Sequence, residues 1–356
     1  MRTLTWDPKQ KVLRLIDQRA LPAHLEFVEC HHLAEVADAI RLMIVRGAPA
    51  IGVTAAFGMA IAGWNSSTDS PDALRSHLQT AADTLRKTRP TAVNLQWALS
   101  RMLAVLEAPG LTADKLRHRL EAEAVRMAEE DVAINHQMAE YGASLIEDGD
   151  TIIHHCNTGA LAVVDWGTAL GAIRLAFEQG KRVHVLVDET RPRLQGARLT
   201  AWELSQYGIP FEIITDGAAG YFLQRGDVQK VMFGADRVAA NGDVANKIGT
   251  YMLALAAHTN GVPVVCVAPS SSVDLSLPDG SHIPIEERDP DEVLNLQYSG
   301  ESVAPAGAKA RNPAFDITPH GLVDAIVTER GISRQPFKHT LPQVLGKDPN
   351  SISRAG

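Results

Sequence analysis

Cysteine is scarce in this chain of 356 residues: Cys30, Cys156 and Cys266 stand far apart. They provide neither a disulfide framework nor the paired cysteines of a zinc knuckle. Positive charge is short as well, with 34 Lys and Arg against 42 Asp and Glu, a formal charge of -8 and a pI near 5.9. No local basic cluster offsets that balance, so the electrostatic footprint of a nucleic-acid binder is missing. Long apolar runs are missing too. The longest, residues 48–63, contains Pro49 and three glycines and falls short of the roughly 20 residues a membrane span needs. Nothing matches the glycine patterns G-x-G-x-x-G or G-x4-G-K-[ST], which disfavours nicotinamide cofactors and ATP. The start carries Asp7 and Pro8 where a secretory signal would be apolar. These absences point to a reduced, cytoplasmic protein with no nucleic-acid or membrane partner.

What is present fits a globular protein with room for two domains. Residues 1–20 alternate like a short hairpin with Val12, Leu13 and Leu15 inward, and residues 24–28 suit a further strand. Val36, Ala39, Ile40 and Met43 lie at helical spacing within residues 33–45. Arg46-Gly47-Ala48-Pro49 is then an abrupt break before an Ala-rich apolar helix, and a second arginine-bearing break follows at Arg89-Pro90-Thr91. Residues 112–146 read as one or two long helices. From Thr151 onward strand and helix patterns alternate, the mark of a parallel sheet with covering helices. The expected fold class is therefore α/β: a mostly helical N-terminal domain with a short β start (1–120), a Rossmann-like parallel-sheet domain (121–346) and a flexible tail (347–356). Residues 273–319 break the rhythm and read as an excursion or lid across the sheet edge.

In open α/β sheets ligands bind beyond the carboxyl ends of the strands. Here the strand ends carry chemistry. Ile152-Ile153 leads to His154-His155-Cys156-Asn157-Thr158-Gly159; residues 183–187 lead to Asp188-Glu189, residues 211–214 to Thr215-Asp216, and residues 231–234 to Ala235-Asp236. Cys156 is the sharpest candidate. Most thiols are inert and buried, but this one ends a strand, and a helix start downstream favours a thiolate. His154 shares the strand face of Cys156 and His155 points the other way, an awkward set for zinc, so no metal is expected. Asp236, closing a buried strand, suits a general acid or base if desolvation raises its pKa; an ion pair with Arg237 is the plainer alternative. Asn246-Lys247 is read as opening the next helix, with the lysine facing an anion. Asp188 to Gly196, with two arginines and Gln195, is either a sugar-phosphate cradle or a solvated charge run. Arg46-Gly47-Ala48 at a helix start is either an anion site or a plain loop.

Taken together and in order, these blocks resemble the methylthioribose-1-phosphate isomerase family. The resemblance rests on residues 46–52, 89–95, 155–162, 188–204, 234–237, 241–251 and 312–319, and spans roughly residues 40–330. It implies conversion of 5-methylthioribose 1-phosphate to 5-methylthioribulose 1-phosphate in methionine salvage, without a metal or organic cofactor, by a homodimer whose partner is a small sugar phosphate. It makes Cys156 and Asp236 the catalytic pair, and Arg46, Gly47, Ala48, Arg89, Gln195, Asn246 and Lys247 substrate contacts. The family shares a superfamily with ribose-1,5-bisphosphate isomerases and with regulatory subunits of a translation-initiation exchange factor. An isomerase of another ribose 1-phosphate and a non-catalytic regulatory subunit are thus the rival readings. The resemblance implies that the exchange-factor relatives lack the cysteine–aspartate pair. Asp165-Trp166 departs from the family's smaller residues and tyrosine, with consequences for the pocket around the sugar's 5-substituent.

Overall fold

Local sequence decides most elements of the N-terminal half. In this computed structural model, which describes residues 1–89 and 92–347, β1 (Leu4–Asp7), β2 (Val12–Ile16) and β3 (Phe27–Cys30) form an antiparallel meander with Leu4 facing Leu15 and Leu13 facing Cys30. Val12, Leu13, Leu15 and Ile16 are all buried. Helices α1 (Leu33–Arg41), α2 (Ala48–Asn65), α3 (Pro71–Arg86), α4 (Val93–Leu106) and α5 (Ala113–Ala143) follow. Ser70 caps α3 through its hydroxyl and Pro71 supplies the pre-set first helical φ. Apolar on every side, α2 is the central helix, packed by α1, α3, α4, β1 and β2. Full burial of Ile51, Phe57 and Ile61 stabilises by about 1.5–3 kcal/mol apiece.

The second half is built on a seven-stranded sheet. Its strands are β4 (Thr151–His154), β5 (His184–Asp188), β6 (Phe211–Ile214), β7 (Lys230–Phe233), β10 (Val264–Val267), β15 (Ala325–Thr328) and β16 (Gly331–Arg334). The order is β16-β15-β10-β7-β4-β5-β6, parallel throughout except for β16. Helices α6 (Ala169–Glu178), α7 (Ala201–Tyr207), α8 (Ala219–Arg225), α9 (Thr250–Thr259), α10 (Asp291–Leu294) and α11 (Phe337–Val344) connect and flank the strands. A smaller sheet, ordered β11-β8-β9-β14, comprises β8 (Arg237–Ala239), β9 (Val244–Lys247), β11 (Val273–Asp274) and β14 (Phe315–Thr318). The hairpin β12 (Gln297–Tyr298) and β13 (Glu301–Ser302) projects into solvent.

Several sequence expectations need correction. Asn246-Lys247 does not open a helix; it ends β9, and the helix begins at Thr250 after Gly249 at φ 101°. Residues 273–319 are no featureless lid, since they supply β11 and β14 to the smaller sheet. A π-turn over Gly196–Thr200 leads directly into α7 at Ala201. The chain forms two compact units, Met1–His136 with Thr158–Gly167, and Gln137–Asn157 with Thr168 onward. The division expected at 120/121 falls inside α5. Of the expected tail, residues 348–356 lie outside the described residues, as do Pro90 and Thr91.

Candidate active site

The switch in strand order places the candidate residues. β4 starts the sheet; β5 and β6 extend it one way, β7, β10 and β15 the other. Between β4 and β7 the connections diverge, leaving a crevice at the carboxyl ends. Cys156 follows β4 and Asp236 follows β7, two strands paired in parallel with His154 opposite Met232. Cys156 is buried and holds φ 66°, a left-handed conformation that costs a non-glycine residue about 1–3 kcal/mol. Its N–H donates to Thr190 Oγ1 at 2.9 Å and its carbonyl accepts from Thr200 Oγ1 at 2.7 Å. Asn157 is a scaffold residue, its Nδ2 donating to the buried Glu203 at 2.7 Å.

Asp236 sits at the turn from β7 into the β8–β9 hairpin, its N–H donating to Ala245 O at 2.9 Å. Its side chain is exposed, contrary to the desolvation expected from the strand end. Arg237 gives its guanidinium to Asp274 at 3.1 Å. The hairpin returns Asn246 and Lys247 beside Asp236, both buried. Asn246 Nδ2 donates to Thr250 Oγ1 at 3.0 Å. Lys247 Nζ donates to Ala314 O at 2.8 Å and lies 4.9 Å from the Phe315 ring centre. Burial first, then the charge of Arg288, pulls the Lys247 pKa down to about 8, while Cys156, Asp236 and Glu292 act in the opposite sense.

The loop after β5 is tightly drawn. A Cβ added at Gly196 would lie 1.7 Å from the carbonyl oxygen of Asp188, so only glycine fits. Thr190 and Leu194 hold φ values of 62° and 56°, and Asp216 takes the N–H groups of Thr190 and Arg191 at 2.7 and 2.8 Å. This loop is not a solvated charge run: Arg191 reaches Val293 O at 3.1 Å and Arg193 pairs with Glu292 at 2.8 Å. Gln195 is buried, and its Oε1 has no hydrogen-bond partner among the described residues.

Sequence reasoning missed a buried pair. His155 and Asp188 are each 1% exposed, with Nδ1 2.8 Å from Asp188 Oδ2 and Nε2 2.9 Å from Ile248 O. Burial opposes protonation of His155, but the hydrogen bond and charge of Asp188, with that of Asp216, raise its pKa overall. Burial likewise raises Asp188, against the pull of His155. His154, by contrast, is driven down to about 3 by burial and by its neighbour's charge. The signal available was two polar residues beyond adjacent parallel strands. Ligand atoms of His155, Asp188 and Asp216 lie within 4.8 Å of one another, yet His155 and Asp188 engage each other and Asp216 takes two backbone N–H groups, so a metal would have to displace these bonds.

In the first unit, Arg46, Gly47 and Ala48 come together at the start of α2, with Gly47 as N-cap at φ 93°. A Cβ there would lie 2.2 Å from Ala162 O, so the turn Ala160–Ala162 seats directly on the helix start. That turn is pinned by Thr3, whose Oγ1 donates to Ala160 O at 2.6 Å, and by Gln18 Nε2 to Leu161 O at 2.7 Å. Arg89 is half-buried in the chain that follows α3. Asp165 Oδ1 accepts the Trp166 N–H at 2.6 Å, and the Trp166 ring meets His136 edge-on at 4.5 Å. Trp166 thus packs on α5.

Comparison with known proteins matches this architecture. The model of the Initiation factor 2 subunit family fits residues 44–335. The methylthioribose-1-phosphate isomerase of Synechococcus sp. is 52% identical over 345 residues, covering 97% of this chain and 98% of its own. The crystal structure of 5-methylthioribose 1-phosphate isomerase from Pyrococcus horikoshii superposes with a TM-score of 0.90 at 43% identity, over 97% of this chain and 96% of that one. A structure of translation initiation factor eIF-2B, subunit delta, from A. fulgidus gives a TM-score of 0.88 at 44% identity, over 97% and 99%. The chain belongs to the initiation factor 2 subunit family and, within it, groups with the methylthioribose-1-phosphate isomerases.

Proposed function

We infer that this chain is an aldose–ketose isomerase that converts 5-methylthioribose 1-phosphate to 5-methylthioribulose 1-phosphate, a step of methionine salvage. Relatives of that name at about half identity over nearly the whole chain support it. The observation that carries the chemistry is the presence of Cys156 and Asp236 beyond β4 and β7, at the point where the strand order switches.

The phosphate on C1 prevents the sugar from opening to a free aldehyde. In this reading Asp236, covered by the bound sugar, gives a proton to the ring oxygen as the C1–O4 bond breaks. The thiolate of Cys156 then takes the proton from C2, giving an enol between C1 and C2. Protonation at C1 and loss of the proton from the C2 hydroxyl complete the ketose. A direct hydride shift from C2 to C1 is the other route. From the resemblance, Arg46, Gly47, Ala48 and Arg89 are assigned as phosphate contacts, suited to it by guanidinium and helix-start N–H donors, and Lys247 as a cation for the substrate. Gln195 and Asn246 take sugar hydroxyls. No metal or organic cofactor enters this scheme. A homodimer in the cytoplasm belongs to the same reading; among the described residues no helix is long and apolar enough to cross a membrane.

Cys156→Ser and Asp236→Asn test the assignment. Each is expected to lower kcat by at least about 1,000-fold while leaving the thermal melting curve close to that of the parent. Near-parental turnover in either variant removes that residue from the mechanism.

A further inference from the structure

The scheme above leaves the buried His155–Asp188 pair without a task. We propose that His155 is a positioning residue for the reaction at Cys156, clamping the strand end that carries the thiol to the strand end that carries Lys247. The proposal rests on the isomerase reading for its kinetics and on geometry for the clamp itself.

Cys156 cannot hold its left-handed backbone unaided. Asp188 supports it along two paths. Through its carboxylate, Asp188 fixes the ring of the preceding residue at 2.8 Å. Through its backbone carbonyl it accepts the Thr190 hydroxyl at 3.0 Å, and that same oxygen takes the Cys156 N–H at 2.9 Å. The far side of the ring is equally fixed. Nε2 meets the carbonyl of Ile248, the residue after Lys247. A Cβ on Gly249 would lie 2.9 Å from ring Cε1, so the glycine lets the backbone close onto the imidazole. Beyond it, Asp316 accepts the N–H groups of Gly249 and Tyr251 at 2.8 and 3.1 Å, and Lys247 O accepts the Thr250 hydroxyl at 2.6 Å. One ring thus spans the two segments that deliver the thiol and the ammonium.

The hydrogen bonds also fix the protons. A carbonyl has none to give, so Nε2 carries one; a second lies between Nδ1 and the Asp188 carboxylate. A glutamine in place of His155 reaches one of the two acceptors, not both.

The test uses the full chain with His155→Gln, which cannot span both acceptors, and Asp188→Leu, which removes any polar partner for Nδ1 at similar size. Three measurements are made: kcat and KM on 5-methylthioribose 1-phosphate, the rate of Cys156 alkylation by iodoacetamide read by peptide mapping, and the ring N–H signals of 15N-histidine in the unaltered protein. Burial pushes Cys30 up to about 12 and raises Cys266 further, so both other thiols react slowly. The clamp predicts kcat down by about 100-fold with KM within about threefold of the parent. It also predicts an alkylation rate changed by at least about fivefold, and two slowly exchanging ring N–H signals from His155 in the parent. A kcat within about threefold of the parent, an unaltered alkylation rate, or a His155 ring lacking the Nε2 proton overturns it. The ring signals decide the question even where a variant does not fold. A parent inactive on the sugar phosphate refutes the isomerase reading, while the alkylation and ring measurements still judge the clamp.

Discussion

Replacing Lys247 by methionine should stabilise the fold at neutral pH and lose that advantage in alkali. Lys247 keeps its ammonium in a buried site where burial and Arg288 pull its pKa from the ordinary 10.5 to about 8. At about 1.36 kcal/mol per pH unit, that interval corresponds to about 3 kcal/mol. The sign follows from proton counting. Below pH 8 both the folded and unfolded chains are protonated here, and the full cost of the buried charge is present. Between pH 8 and 10.5 the unfolded chain keeps a proton that the folded chain has released, so stability rises with pH. Above 10.5 the cost is gone. Methionine fills a similar volume without charge. It forfeits the hydrogen bond to Ala314, about 1 kcal/mol, and the contact over Phe315, about 0.5–1 kcal/mol. The net expectation is a gain of about 1–2 kcal/mol at pH 7 that becomes a loss of about 1 kcal/mol at the alkaline end. Turnover falls at the same time, as expected for a charge retained for function. Urea melts of both proteins at pH 7 and pH 10 measure the difference. A variant less stable than the parent at pH 7, or a difference that ignores pH, would show that Lys247 carries no such buried-charge cost.

Other perturbations test the scaffold. Gly47→Ala puts a Cβ at a φ of 93° and 2.2 Å from Ala162 O; it is expected to cost more than about 2 kcal/mol and to raise KM for the sugar phosphate, with unchanged urea midpoint and KM as the contrary result. Gly196→Ala drives its methyl to 1.7 Å from Asp188 O; a loss of more than about 3 kcal/mol in urea unfolding is expected, and a midpoint equal to the parent's would show that this loop is not held as described.

Legibility in the sequence followed the range of the forces involved. The strand ends at His154, Asp188 and Asp236, and the buried helix after Gly47, were readable because periodicity and Gly/Pro punctuation are local signals. β9 was not. Its Asn246 and Lys247 pair with Asp316 and Phe315, nearly seventy residues on, and a non-local pairing leaves no local period, so the apolar residues of α9 drew the expected helix too far back. The role of His155 was not legible because its partners Asp188 and Ile248 come from other elements. Asp236 was expected to be buried because it ends an apolar strand, yet the turn into β8 turns its side chain to solvent. The return of Thr158–Gly167 to the first unit depends on bonds from Thr3, Gln18 and Asp131, none of which the segment itself announces.

Proton NMR of the purified chain with 5-methylthioribose 1-phosphate in heavy water, with ribose 1,5-bisphosphate run alongside, reads the proposed reaction itself. The methylthio sugar is expected to be converted to its ketose and the bisphosphate not, with deuterium appearing at C1 if Cys156 moves the proton through the enol. Turnover of neither sugar, or of the bisphosphate alone, would contradict it.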